Sequence, residues 1–470
     1  MVIHEDLAWR SALEIAELIR DKQISPVELT AALLARIEAV DARLNAFCLV
    51  TADTARVAAR EAEIAVMKGE PLGALHGVPL SIKDVLYTRG LRTTGGSRLF
   101  AELVPEEDNA AVGRLRAAGA VILGKTNTSE LGHKALTDNP LFGVTRNPWN
   151  VECTPGGSSG GAAAAVASGL GPLALGTDGG GSVRIPAAFC GLVGVKPSFG
   201  RVPQAPGFPG WEHLGQTGPL ARTVRDAAAL LDVIAGGDDR DRASLPSEPG
   251  SYLDSCDLDV RGLHVAWTPD LGYAAVDERV LDICGNAAAE FEGLGCHVEV
   301  VNPDWENPED AFGTIVAAQF YAAWGDELPA READLDASLV RFLRRGGAVT
   351  TREYLTAMTR VTAYWQEVHT FLARFDLLLT PTAAVPPFAV GAGVPREIAG
   401  RQVSRLGWMP FTYPFNLTGQ PAASVPAGWT DDGLPVGLQV VGRRHADRTV
   451  LAAAAAFEAA CPWQDRRPAQ

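Results

Sequence analysis

Residues 155–161 read PGGSSGG and residues 176–182 read GTDGGGS, and the segment between them, AAAAVAS at 162–168, is nearly all alanine. No other feature of the chain narrows its fold as much. Glycine in a folded interior costs backbone entropy. Two such runs so close in sequence are therefore expected where main chain must approach main chain, or a bound molecule, more closely than a Cβ would allow. The alanine segment reads as a buried helix with small side chains that let it lie tight against its neighbours. PLALG at 172–176 reads as a short buried strand that leads into the second run.

Strand-like and helix-like stretches alternate along the rest of the chain. Residues 11–47 read as helices: SALEIAELIRD first, then a second that opens at Ser25-Pro26-Val27-Glu28. There Ser25 serves as N-cap, Pro26 takes the first helical position and Glu28 completes a capping box. In GVPLSIKDV, from 77, Val78, Leu80 and Ile82 share one face, a strand pattern. Residues 109–119 read as a helix, 120–124 as a buried strand, and 224–235 as a helix capped by Thr223 and ended by Gly236-Gly237. Further strands are expected at 263–267, 297–301, 376–380 and 437–442. The alternation argues for an α/β fold with a largely buried sheet covered by helices. There is no internal repeat, and the stretch nearest to a linker, PTAAVPPFAVGAGVP at 381–395, is short and apolar and reads as a loop.

Composition excludes some partners. The 470 residues are 47% hydrophobic and 21% charged, which is ordinary for a globular protein. The net charge is −15 and no basic run exceeds pairs such as Arg344-Arg345 and Arg443-Arg444, so nucleic acid is not an expected partner. Seven cysteines, an odd number with no CxxC pair, read as free thiols in a reducing compartment. The first residues, MVIHEDLAWR, carry acids where a secretory leader needs an apolar run. The weakly polar stretch 161–176 is too short to cross a bilayer. A cytoplasmic protein with no membrane partner is expected.

The eight histidines form no HExxH or HxH pattern, which leaves a metal site without support, and no GxGxxG dinucleotide fingerprint occurs. What remains is serine, glycine and a lysine at a strand end, Lys83. A serine hydroxyl is a weak nucleophile until a base takes its proton. A lysine can be that base if burial holds it neutral. Asp84 beside it would work against this, and a strand-end lysine alone reads as a solvated charge or half of a salt bridge. The N–H groups of Gly179-Gly180-Gly181-Ser182 suit an oxyanion hole, and equally a plain turn or an anion nest. The serine run before the alanine helix reads alone as an anion site or a tight turn.

Taken together, GVPLSIKD at 77–84, GKTNTSELG at 124–132, PGGSSGGAAAAVA at 155–167 and GTDGGGSVRIPAAFCGLVGVKPS at 176–198 resemble the amidase signature family, as do GPLARTVRD, FDLLLTPT and FNLTGQPAASVP farther on. The resemblance covers nearly the whole chain. It implies a central twisted mixed β-sheet covered by helices on both faces, and one domain over 1–470 with its core at 75–200 and specificity insertions within 201–415. It also implies a Ser–cis-Ser–Lys triad: Ser182 as nucleophile, Ser158 as the bridging serine 24 residues earlier, after a cis peptide bond, and Lys83 as base. Gly179, Gly180, Gly181 and Ser182 would offer the oxyanion N–H groups, with Asp178, Arg184 and Ser159 in support. No cofactor or metal is implied. Gly179 departs from the family's common pattern, in which Thr or Ile often stands there, and its freedom should loosen the loop unless packing holds it.

Substrate choice is expected to rest on loops outside these motifs. The candidate contacts are Phe142, His133, Trp211, His213, Tyr321, Trp324 and Trp408, several of them aromatic, which suits an uncharged or aryl amide. The expected partner is a small amide, and the assembly stays open, a homodimer included. The leading reading is a stand-alone amidase. The alternatives are a glutamine-hydrolysing subunit of a tRNA-dependent amidotransferase, a ureide hydrolase, and a non-enzymatic binding module built on the same scaffold.

Overall fold

The apolar runs singled out in the sequence all join one sheet in the computed structural model, which describes residues 7–469. Eleven strands take part: β1 (Phe47–Val50), β2 (Pro79–Lys83), β3 (Val121–Thr126), β4 (Leu173–Asp178), β5 (Val193–Lys196), β6 (Gln216–Ala221), β7 (His264–Trp267), β8 (His297–Val300), β9 (Leu377–Pro381), β10 (Ala422–Trp429) and β11 (Pro435–Gly442). Their order is β1-β3-β2-β4-β6-β5-β10-β11-β9-β7-β8. The neighbours β3-β2-β4 and β9-β7-β8 run parallel and every other pair is antiparallel, so the sheet is mixed as expected. The stretch 201–415 supplies four of these strands, β6 to β9, as well as the expected loops.

β1, β5, β6 and β10 had no strand signal in the sequence. VGVK, QTGPLA and AASVPAGW carry glycine or proline, and they are strands because flanking strands pair them. β2 was expected to have one apolar face. Its five residues are all buried, so its alternation separates apolar from polar side chains and not core from water. The helices Ala12–Arg20 and Pro26–Leu44 form where expected. Ser25 caps the second through the N–H groups of Val27 and Glu28, but its hydroxyl donates to Glu63 and Glu28 does not close the expected box. Full capping boxes form instead at Ser11–Glu14 and Thr350–Glu353. The leader reading falls partly on residues 1–6, which lie outside the described residues. Among the described residues no helix is long and apolar enough to cross a membrane.

The small-residue helix Gly160–Ala167 is buried along its whole length. Gly161, and Gly157 just before the helix, mark where main chain presses on main chain. A Cβ on Gly161 would lie 2.5 Å from both the Ala46 carbonyl oxygen and the Asn127 nitrogen, and one on Gly157 would lie 2.4 Å from the Leu136 carbonyl carbon. This crowding anchors the start of the helix, and with it the serine run, against the ends of β1 and β3. Gly161→Ala therefore has no room and is expected to destabilise the fold by about 1–3 kcal/mol, read as a lowered urea midpoint with an unchanged slope.

Candidate active site

Lys83 ends β2 with its side chain wholly buried. Its Nζ lies 2.7 Å from Ser158 Oγ and 2.8 Å from Thr177 Oγ1. Burial pushes the ammonium down to about 7, against the opposing pull of the Asp178 carboxylate. Asp84, the neighbour that threatened this in the sequence, takes no part. Successive strand residues point to opposite faces, and the Asp84 carboxylate accepts from the N–H and hydroxyl of Thr94, with Lys125 as its nearby cation. Lys125 is a second buried lysine, and its Nζ donates to the Leu86 carbonyl and to the hydroxyls of Thr88 and Thr93. It lies in GAVILGKT at 119–126, letters that match a phosphate-binding loop, GxxxxGK[ST]. Here residues 121–126 are strand β3 and the lysine is committed to bracing the loop after β2.

The two glycine–serine runs meet at Lys83. Ser158 follows a cis Gly157–Ser158 peptide bond, the position the resemblance implied. The Ser159 N–H donates to the Ser182 carbonyl at 3.2 Å, and the Ser159 hydroxyl bonds the Thr177 main chain. Asp178 and Arg184 form a fully buried ion pair, Nη2 to Oδ1 at 2.8 Å and Nε to Oδ2 at 2.9 Å. Burial alone would push the Asp178 carboxyl up, but the Arg184 guanidinium outweighs it and holds the acid well below the usual carboxylate range. Asn416 donates to Asp178 Oδ1, and Arg184 donates to the Thr412 carbonyl, Gln439 Oε1 and Asn416 Oδ1.

One of the four expected oxyanion donors is taken: the Gly181 N–H donates to Asp178 Oδ1 at 2.7 Å. The N–H groups of Gly179, Gly180 and Ser182 have no partner among the described residues. The loop is not loose either. A Cβ on Gly179, Gly180 or Gly181 would meet Trp211, Phe312 or Thr412, at 2.3, 2.8 and 2.4 Å. Ser158, Thr177, Gly179 and Ser182 border a cavity of about 700 Å³ that extends past Leu131, Phe208 and Trp211 toward Arg240 and Arg242.

The amidase family profile matches residues 28–451. The chain belongs to the amidase signature family. It is 41% identical to an acylamidase of Rhodococcus erythropolis, over 99% of this chain and 98% of that one. It is 38% identical to the A subunit of the glutamyl-tRNA(Gln) amidotransferase of Moorella thermoacetica, over 98% and 99%. The crystal structure of a bacterial aryl acylamidase superposes with a TM-score of 0.91 at 37% identity, covering 97% of both chains. The chain is thus an amidase, a hydrolase of C–N bonds in amides.

Of the candidate substrate contacts, Trp211 and His213 border the cavity of this amidase. The other five do not. Trp408 is core, packed between Phe189 and Phe388. Phe142 lies under the Arg92 guanidinium, and Tyr321 stands on an outer face, 42% exposed. Trp324 donates its Nε1 to the Pro209 carbonyl and holds the cavity loop from behind. The His133 side chain is buried, with Nδ1 on the Glu130 carbonyl and Nε2 on the Ser338 hydroxyl, and burial, aided by Lys134, pushes it down to about 4. Beside it burial raises Glu130 to about 7, while its carboxylate accepts from the Ser97 hydroxyl and the Asp336 N–H. These bonds fix the segment carrying Leu131 and Gly132 into the cavity. Thr177 escaped the sequence reading, and its only signal was its place beside Asp178 at the end of a buried strand.

The amidase's Lys83 has a folded value near 7 and an unfolded value of 10.5, so folding releases its proton between those pH values and stability rises with pH across the window. Lys83→Met abolishes that contribution. Relative to the native chain, the variant is expected to be most favoured near pH 6 and to lose that advantage steadily toward about pH 10, measured by urea unfolding at each pH.

Proposed function

We propose that this amidase hydrolyses a small, uncharged amide through an acyl-enzyme on Ser182, with Ser158 as proton relay and Lys83 as base. The supporting observation is the 2.7 Å contact between the Lys83 amine and the Ser158 hydroxyl in a site that removes the lysine's charge near neutral pH. Neutral Lys83 takes the proton of Ser158 Oγ as Ser158 takes that of Ser182 Oγ. Ser182 Oγ bonds to the amide carbon, and the N–H groups of Gly179, Gly180 and Ser182 stabilise the charge that moves to oxygen. The C–N bond then breaks as Ser158 returns the proton to nitrogen, refilled from Lys83. Water enters by the same relay, breaks the ester and frees the acid and Ser182. Asp178, Arg184 and Ser159 hold the two runs in place and move no proton.

Apolar walls at Leu131, Phe208 and Trp211 favour a substrate with an aryl or alkyl group beside the amide, and the similarity to an acylamidase and an aryl acylamidase supports the same class. The amidotransferase reading rests on the Moorella thermoacetica relative, which bears that name. A panel of aliphatic amides, anilides, ureides, cyclic diamides and glutamine separates the readings by the product released. Turnover of an anilide or acyl amide without a partner chain is the expected result, and Ser182→Ala is expected to lose at least about 10⁴-fold in kcat. Glutamine turnover that needs a second chain would overturn it. Because Lys83 works as the neutral amine, kcat/KM is expected to rise with pH through about 7 and then level. A flat profile between about pH 5 and 9 would remove Lys83 as base while leaving Ser182 as nucleophile.

A further inference from the structure

We propose that Trp211 sets the specificity of this amidase: its indole is a flat wall beside Ser182 that favours a planar aromatic group on the amide, and Gly179 is the residue that seats it. The inference rests on the reading of Ser182 as nucleophile. A Cβ on Gly179 would lie 2.3 Å from Trp211 Cε3, 2.5 Å from Cζ3 and 2.8 Å from Cδ2, all in the six-membered ring. That ring therefore rests directly on the main chain of the oxyanion loop. Gly179 has no left-handed φ, so its backbone would accept a side chain, and the indole is what excludes one. Gly181 is about as crowded and Gly180 less so, by Thr412 and Phe312, which do not border the cavity. Of the three glycines, only Gly179 trades its side chain for a wall that substrate touches.

The wall is held from three sides. Trp211 Nε1 donates to the Leu131 carbonyl at 3.3 Å. Phe320 meets the ring edge-on, with centroids 5.3 Å apart. The Trp211 carbonyl accepts from the N–H groups of Leu214 and Gly215, which closes the turn that carries it. An indole fixed in this way presents one flat apolar face, against which an aromatic ring finds stacking or edge contacts that a puckered ring of equal size does not.

Benzamide and cyclohexanecarboxamide have the same carbon count and differ in flatness, so the ratio of their kcat/KM values reads the wall. Trp211→Ala is expected to lower the benzamide preference about tenfold, and Trp211→Phe to keep most of it. Gly179→Ala pushes the indole off its seat. It is expected to lose about 100-fold on both amides, as a displacement of about 1 Å does. Adding Trp211→Ala is expected to restore turnover of cyclohexanecarboxamide to the level of Trp211→Ala alone. An unchanged ratio in Trp211→Ala, or a double variant no better than Gly179→Ala, overturns the proposal. Should Gly179→Ala fail to fold, the two Trp211 variants decide by themselves. If the native chain turns over neither amide, the nucleophile reading is judged separately, by the wider amide panel with Ser182→Ala. Calorimetric binding of both amides to Ser182→Ala, with and without Trp211→Ala, then tests the wall: a lost benzamide preference supports it, and an unchanged one overturns it.

Discussion

The buried pair between Asp178 and Arg184 organises everything around it. One carboxylate receives the Gly181 N–H, the Arg184 side chain and Asn416, and one guanidinium reaches the Thr412 carbonyl and Gln439 as well. Both side chains are fully buried. Removing one partner of such a pair leaves the other charge without compensation, a loss of about 3–5 kcal/mol. The pair therefore fixes the glycine loop as a unit with the 412–416 segment and with β11. It also explains why the loop offers three free N–H groups and not four, because the fourth is the tether.

A second constraint works beside it. Lys83 stays buried because its nitrogen meets two hydroxyls, Ser158 and Thr177, and the carboxylate that acts on it, Asp178, is itself paired with Arg184. A carboxylate in direct contact would restore the lysine's charge. By facing away toward Thr94 and Lys125, Asp84 separates two buried lysines into two roles. Lys83 can lose its proton near neutral pH, and Lys125 ties the Leu86–Thr93 loop to β3. Burial lowers both lysines, Lys83 to about 7 and Lys125 to about 8, but the Lys125 nitrogen is engaged by three oxygens of the loop it tethers.

Much of this was legible in the chain itself. The helices at 12–44, the small-residue helix and the apolar strands stand where local pattern put them, because burial of an apolar run leaves a periodic trace. The motif residues Lys83, Ser158, Ser182, Asp178, Arg184 and Ser159 meet in space, and the motifs were long enough to name the family. The strands β5, β6 and β10 left no such trace, since their glycines and prolines are strand only through their neighbours, and β1 is only four residues long. The cavity lining was the least legible part. Trp211 and Trp408 look alike in sequence, and one faces the cavity while the other packs between Phe189 and Phe388.

The sequence by itself determined the family, and with it the hydrolysis of C–N bonds in amides, through long motifs that carry serines and a strand-end lysine in glycine-rich runs. Tertiary structure decided which groups are free to act. It took the Gly181 N–H for Asp178, turned Asp84 from Lys83, made His133 a brace for the cavity segment, and laid the Trp211 indole on Gly179. The physical reason is that a residue's type sets what it can donate, accept or exclude, while its availability depends on which distant main-chain and side-chain atoms have already engaged it. No local pattern records those distant partners.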